Sequence, residues 1–304
     1  MLGILIASDE GLLQVIPGSD PERAIVGRAF ASLDFRSGVA IAGAPGAGVW
    51  VHAGKRWEQR LEGDVQAVRV APDGRLFAGL EPAGVSVSGD RGITWSELES
   101  VHHIARHNRF VTPTGHEAPF VASFAFPKEG VLIGITGGGL WHSHDEGRTW
   151  LRRGDGLDPG VHSVLEHPEQ RDRVFATAES GVFRSEDAGF SWLQSLGGLD
   201  RSWGGTIAIV PGAPDRLVLS VSRRGPGADG ALFRSANGGV TWTRLMLDEE
   251  DEWPLAPVVT RVWDSADTLF VAAGDKVWGS HDGGRQWITL AGGLPAARAI
   301  AAAL

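Results

Sequence analysis

One eight-residue phrase is written five times in this 304-residue chain. It reads SGDRGITW from Ser88, SHDEGRTW from Ser143, SEDAGFSW from Ser185, SANGGVTW from Ser235 and SHDGGRQW from Ser280. The frame is Ser-x-Asp-x-Gly-x-Thr-Trp, with Asn237 in place of Asp once and Ser191 and Gln286 in place of Thr. The second copy looks like a catalytic cluster, with a serine, a histidine and a carboxylate side by side. Repetition argues against that, because a reaction site is needed once while a unit stacked on its own copies recurs at a fixed period. The residue types suit a turn. The side chains of Asp90, Asp145, Asp187, Asn237 and Asp282 can accept backbone N–H groups two or three residues on. The following glycine supplies positive φ, and the Trp opens the next strand with a large apolar face. The positions between, such as His144, Glu146 and Arg148, are expected to point outward.

The same grammar precedes each octad. From Val161 to Leu196, apolar runs separated by turn residues predict four strands, a to d, with the octad between c and d. The pattern places repeats at residues 65–98, 121–152, 161–196, 206–245 and 259–290, and a copy without the aspartate at 27–61. Residues 297–304 read as one strand a, and residues 1–26 as strands b, c and d. Together they predict an all-β, seven-bladed β-propeller of four-stranded blades in a single domain. Pairing of the first and last strands in one blade would leave no open sheet edge.

Composition narrows the classes of function. A formal net charge of −9 leaves no basic face for nucleic acid and disfavours an anionic membrane surface. With no cysteine there is neither a disulfide scaffold nor thiol chemistry. The opening MLGILIASDEG lacks a basic start and its apolar run ends at Asp9, so it reads as a strand rather than a leader. A cytoplasmic location is the expectation.

The octads resemble Asp-box (BNR) repeats, the signature of sialidase-like, glycosyl-hydrolase-like and related β-propellers. The resemblance implies that the octads sit between strands c and d, away from the ligand-binding face, with Asp90, Asp145, Asp187, Asn237 and Asp282 structural. Sialidases of that superfamily use a tyrosine nucleophile, and this chain has no tyrosine. A true sialidase mechanism is therefore not expected. Asp-box xyloglucanases set one carboxylate on each of two propellers, which a single propeller does not reproduce. Asp-box assembly factors and receptors leave a non-catalytic, protein-binding scaffold open.

Function is expected on the opposite face, where d-to-a connections and b-to-c turns gather around the mouth of a channel. The connection from Ser100 to Phe120 carries His102, His103, His107 and His116 with Arg109 and Glu117. In a helical turn, His103 and His107 share one face at a spacing that admits a divalent metal, with His116 or Glu117 folding back as a third ligand. Acid–base work by His103, His107, His116, Glu117, Asp200 or Glu250 is the competing reading. No other cofactor is expected. The acidic run at residues 248–252 and the excursion SRRGPGADG, with Arg223 and Arg224, offer further charge. Of twelve tryptophans, only Trp203 and Trp253 have no place in the repeat. With Arg201 and Arg109 they form a candidate ligand set, and Arg152, Arg153, Asp155 and Asp158 occupy the preceding connection. The expected ligand is a glycan or a small anionic compound, bound or cleaved by a hydrolase or lyase without a tyrosine nucleophile; the alternative partner is a protein.

Overall fold

The computed structural model describes residues 3–108, 110–111, 116–213, 215–225 and 227–303. The fold is an all-β, seven-bladed propeller built from seven antiparallel sheets; six have their four repeat strands in sequence order, and the seventh places the last strand of the chain beside the first three. Blade 3 is representative, with strands Val121–Ala125, Val131–Ile135, Gly139–Ser143 and Leu151–Arg153. Its two middle strands are buried at every residue. A strand covered on both faces reads as a continuous apolar run, which explains why VLIGI does not alternate. Strand d keeps its apolar Leu151 exposed, as an outer edge permits.

Packing divides the chain into two compact units. One comprises residues 31–176 and 183–193, holding blades 1 to 3 and part of blade 4. Its largest core joins Phe77, Phe124, Phe126, Trp141 and Trp150 to Val101 of the Glu99–Asn108 helix. The other comprises residues 1–30, 177–182 and 194–304. There Ala297–Ala303 pairs antiparallel with Gly3–Ser8, placing Ile300 opposite Ile6. Blade 5 carries an extra strand, Trp253–Leu255, paired with Ala228–Ser235. The SRRGPGADG excursion is an extension of the hairpin between Arg216–Arg224 and Ala228–Ser235 rather than a loose loop. Among the described residues no helix is long and apolar enough to cross a membrane.

All five octads form the turn between the third and fourth strands, and one hydrogen-bond plan serves them. In blade 3, Ser143 Oγ donates to Asp145 Oδ1 at 2.8 Å and accepts from Gly147 N at 2.8 Å. Asp145 accepts Thr149 N at 2.8 Å and Thr149 Oγ1 at 2.6 Å. The aspartate thus reaches four residues on, not the two or three that a short Asx turn suggests. The bonds from Thr149 hold its carboxyl down at about 2. Two successive residues, not one, are left-handed: Glu146 at φ 61° and Gly147 at φ 86°. In the last two copies the first of these is also glycine, Gly238 and Gly283. The strand begins one residue after the Trp, whose indole closes the turn. Trp95, Trp192 and Trp287 donate to the glycine carbonyl of their own octads. Trp150 donates instead to Ser100 of the Glu99–Asn108 helix, and Trp242 to Ser195 in the last strand of the preceding blade, at 3.0 Å each.

Candidate functional site

The histidine-rich connection begins as the predicted helix, longer at its start and ending at Asn108. Glu99 lies in its first turn and Arg106 and His107 in its last, matching the helix dipole. The rings of His103 and His107 lie 4.0 Å apart, and His107 Nδ1 is bonded to the His103 carbonyl at 2.9 Å. His116 is engaged elsewhere, 2.7 Å from Glu81 Oε2. Glu81 also accepts Glu117 N and Ala118 N at 2.8 and 3.1 Å. Burial opposes ionisation of Glu81, but the bonds from His116, Ala118 and Glu117 outweigh it and hold its carboxyl below the usual range. Glu117 contributes its backbone to that knot and leaves its side chain exposed. Among the described residues no three His, Asp or Glu side chains converge as a metal would require. Arg109 lies outside the described residues.

In the other unit, the candidate ligand groups are spent on one another. Arg201 is fully covered. It donates to both Asp200 oxygens at 2.7 and 3.1 Å, to Glu252 Oε1 at 2.7 Å and to the Asp229 carbonyl at 2.7 Å. Arg244 reaches Asp200 and Glu252 at 2.8 and 2.9 Å, and Arg223 stands 3.4 Å from Glu252. Arg224 pairs with Asp229 at 2.6 Å. The bonds from Arg201, then Arg244 and Arg223, hold the Glu252 carboxyl at about 2. Asp200 is likewise pulled down, chiefly by Arg201. Glu250 accepts Trp253 Nε1 at 3.0 Å and Lys276 Nζ at 2.9 Å. The acidic run is therefore a strapped segment, not a solvated loop held open by repulsion. Trp253 is buried and set edge-on to Trp278 with ring centres 6.2 Å apart, so it is a core residue rather than a ligand platform. The Trp203 ring packs on Gly225, where a Cβ would stand 2.4 Å from the indole.

An open hollow belongs to the d-to-a connection after blade 3. A cleft of about 500 Å³ is bounded by Arg152, Arg153, Asp155, Leu157, Asp158 and Phe190, among others. The short strand Leu151–Arg153 delivers both arginines, and Gly154 and Gly156, at φ 116° and 83°, turn the chain back to present the two aspartates. Arg153 lies over the Phe190 ring, its guanidinium carbon 3.7 Å from the ring centre. Phe190 is half exposed. Asp158 Oδ1 accepts Gly160 N at 2.7 Å, which fixes that carboxylate. A bay of about 450 Å³, lined by Pro82, Ala83, Phe110 and Pro119, lies beside the helix. A smaller hollow of about 120 Å³ shares Phe110 with the bay and Arg152 with the cleft. Sequence reasoning noticed these arginines and aspartates but ranked them below the histidines. Their signal was the pairing of Arg-Arg with Gly-Asp-Gly directly after an octad.

No protein-family model and no curated protein matches this sequence. Solved structures share the fold at low identity. A GH74 xyloglucanase from Xanthomonas campestris is 19% identical with a TM-score of 0.64, over 87% of this chain and 45% of its own. "YCF48 bound to D1 peptide" is 15% identical with a TM-score of 0.60, over 95% and 86%. The WD40 repeats of RRP9 are 13% identical with a TM-score of 0.63, over 95% and 88%. The chain spans less than half the length of the GH74 enzymes it matches.

Proposed function

We propose that this protein is a glycan-binding propeller that recognises an acidic saccharide in the blade 3 cleft without cleaving it. The supporting observation is the cleft itself, where Arg152, Arg153, Asp155 and Asp158 stand around the half-exposed Phe190 ring. Sugars offer hydroxyls that both donate and accept, and an apolar ring face. Planar guanidiniums, carboxylates and an aromatic ring meet all three needs. Among the described residues the Arg152 side chain makes no hydrogen bond or ion pair, and the Arg153 guanidinium contacts the Phe190 ring without an ion pair to a carboxylate, so both remain available for a ligand carboxylate. The fold neighbours include enzymes of the GH74 class, but hydrolysis needs one carboxyl kept protonated by a raised pKa.

Calorimetry with tetragalacturonate, cellotetraose and a reducing-end assay tests this reading. Tetragalacturonate is expected to bind without new reducing ends, and Arg152→Ala with Arg153→Ala to weaken it by about tenfold or more at unchanged melting temperature. New reducing ends, or equal binding of cellotetraose, would overturn it. A second reading, an extended peptide along the same face, draws on the apolar bay around Phe110 and on YCF48 with its D1 peptide. It requires Phe110→Ala to weaken binding as much as the arginine pair does.

A further inference from the structure

The histidine in the octad SHDEGRTW does more than decorate a turn. The His144 ring lies against that of His142, with ring centres 3.9 Å apart and the planes tilted by 48°, and His142 is fully buried. His142 Nε2 lies 2.9 Å from the Glu129 carbonyl, which can only accept, so this nitrogen carries the proton. Burial presses the His142 pKa down, keeping the ring neutral. His144 is thereby held against a fixed neutral plate at the edge of a separate cleft.

That cleft, about 460 Å³, opens where the a-to-b turns of blades 2 and 3 meet the blade 3 octad. This is the opposite end of the blades from Arg152 and Arg153, since a-to-b and c-to-d turns share one end of each antiparallel sheet. Its floor is apolar: Phe77 and Phe126, rings 5.0 Å apart, with Val131 and the half-buried Val87 and Leu98. Its rim carries Arg75, Lys128, Arg171 and His144 against Asp73 and Glu146. Asp73 is already taken by Arg75 at 2.8 Å. Arg171 donates to the Phe126 and Pro127 carbonyls at 2.8 and 2.6 Å, which fixes the guanidinium without cancelling its charge. The Lys128 ammonium has no partner among the described residues. Cations therefore outnumber carboxylates at the rim, over an apolar floor in a hollow of ligand size.

We propose that this cleft is a second binding site, for a small amphipathic anion with an aromatic or aliphatic body and one carboxylate or sulfonate. The body lies on Phe77, Phe126, Val87 and Leu98, and the anion meets Lys128 and the Arg171 edge beside His144. This site is independent of the saccharide cleft. The probe is 1-anilinonaphthalene-8-sulfonate, whose emission rises on transfer to an apolar site, titrated into the folded protein. Its uncharged analogue N-phenyl-1-naphthylamine serves as comparison. Saturable binding is expected, weakened by about tenfold in the exposed-site variant Lys128→Glu, His144→Glu and matched by a similar preference over the uncharged dye. Arg152→Ala with Arg153→Ala should leave the titration unchanged. No saturable signal, equal binding by the rim variant at an unaltered melting temperature, equal binding of the uncharged dye, or loss of signal with the arginine pair would each overturn the proposal.

Discussion

Replacing Arg201 by Met tests whether this arginine holds the fold or a ligand. Four N–H···O bonds leave its guanidinium: three to carboxylates of Asp200 and Glu252 and one to the Asp229 carbonyl. Breaking a buried ion pair costs about 3–5 kcal/mol, and a bond to a charged group about 1.5–3 kcal/mol. Here only the arginine is fully covered; both carboxylates are half exposed and rehydrate once it is gone. Arg223 and Arg244 also remain to share them. The loss is therefore expected near the lower end, about 2–4 kcal/mol. Methionine preserves most of the side-chain packing, so the deficit reflects the charge network rather than a cavity. At about 2 °C per kcal/mol for a chain of this length, the midpoint should fall by about 4–8 °C. Urea unfolding followed by tryptophan emission measures the loss directly. A change within about 0.5 kcal/mol, the ordinary scatter of surface substitutions, would refute the reasoning. So would a lost saccharide affinity at unchanged stability, which would return Arg201 to the ligand set.

Two other expectations concern the same economy of polar groups. Glu252 is lowered from 4.5, and Asp90 and Asp145 from 3.8, all to about 2. Because the folded values are the depressed ones, their stabilisation is complete above the unfolded values and is lost as pH falls toward 2; a stability profile flat across that interval would contradict it. Ser143→Ala removes a covered hydroxyl that accepts Gly147 N. It should cost about 1–3 kcal/mol, since a buried N–H loses its partner, and a urea midpoint shift measures it.

What could be read from the chain depended on how far apart the interacting residues lie. The octads were legible because Ser143, Asp145, Gly147 and Thr149 bond within a five-residue reach, so their chemistry recurs as text. Even there, the left-handed residue before the glycine was overlooked, though the Gly-Gly pairs at 238–239 and 283–284 announce it. Long-range partners left no such mark. Arg201 meets Glu252 across 51 residues, and His116 meets Glu81 across 35. A charged residue in a connection reads the same whether it is free or already satisfied. Glu250 looked available for acid–base work for that reason, and Trp253 for a ligand, although the place of Trp253 in the core follows from a fifth strand that the four-strand repeat does not encode. Arg152 and Arg153 suffered the converse error: their Arg-Arg pair before Gly-Asp-Gly marks the connection but does not say whether the side chains are already satisfied, and only coordinates reveal that their neighbours leave them without an ion pair.

The division of labour inside the octad has a further consequence. Serine, aspartate and the hydroxyl or tryptophan that follows supply the side-chain bonds of the turn, while the fourth and sixth positions contribute only backbone N–H groups, such as Arg148 N to the Asp145 carbonyl. The second and sixth side chains behave as interchangeable sockets on a rigid mount, repeated from blade to blade, whereas the fourth position is held left-handed, at φ 61° in Glu146. A lineage can rewrite His144 or Arg148 almost letter by letter, trying new surface chemistries on that rim without ever placing the architecture at risk.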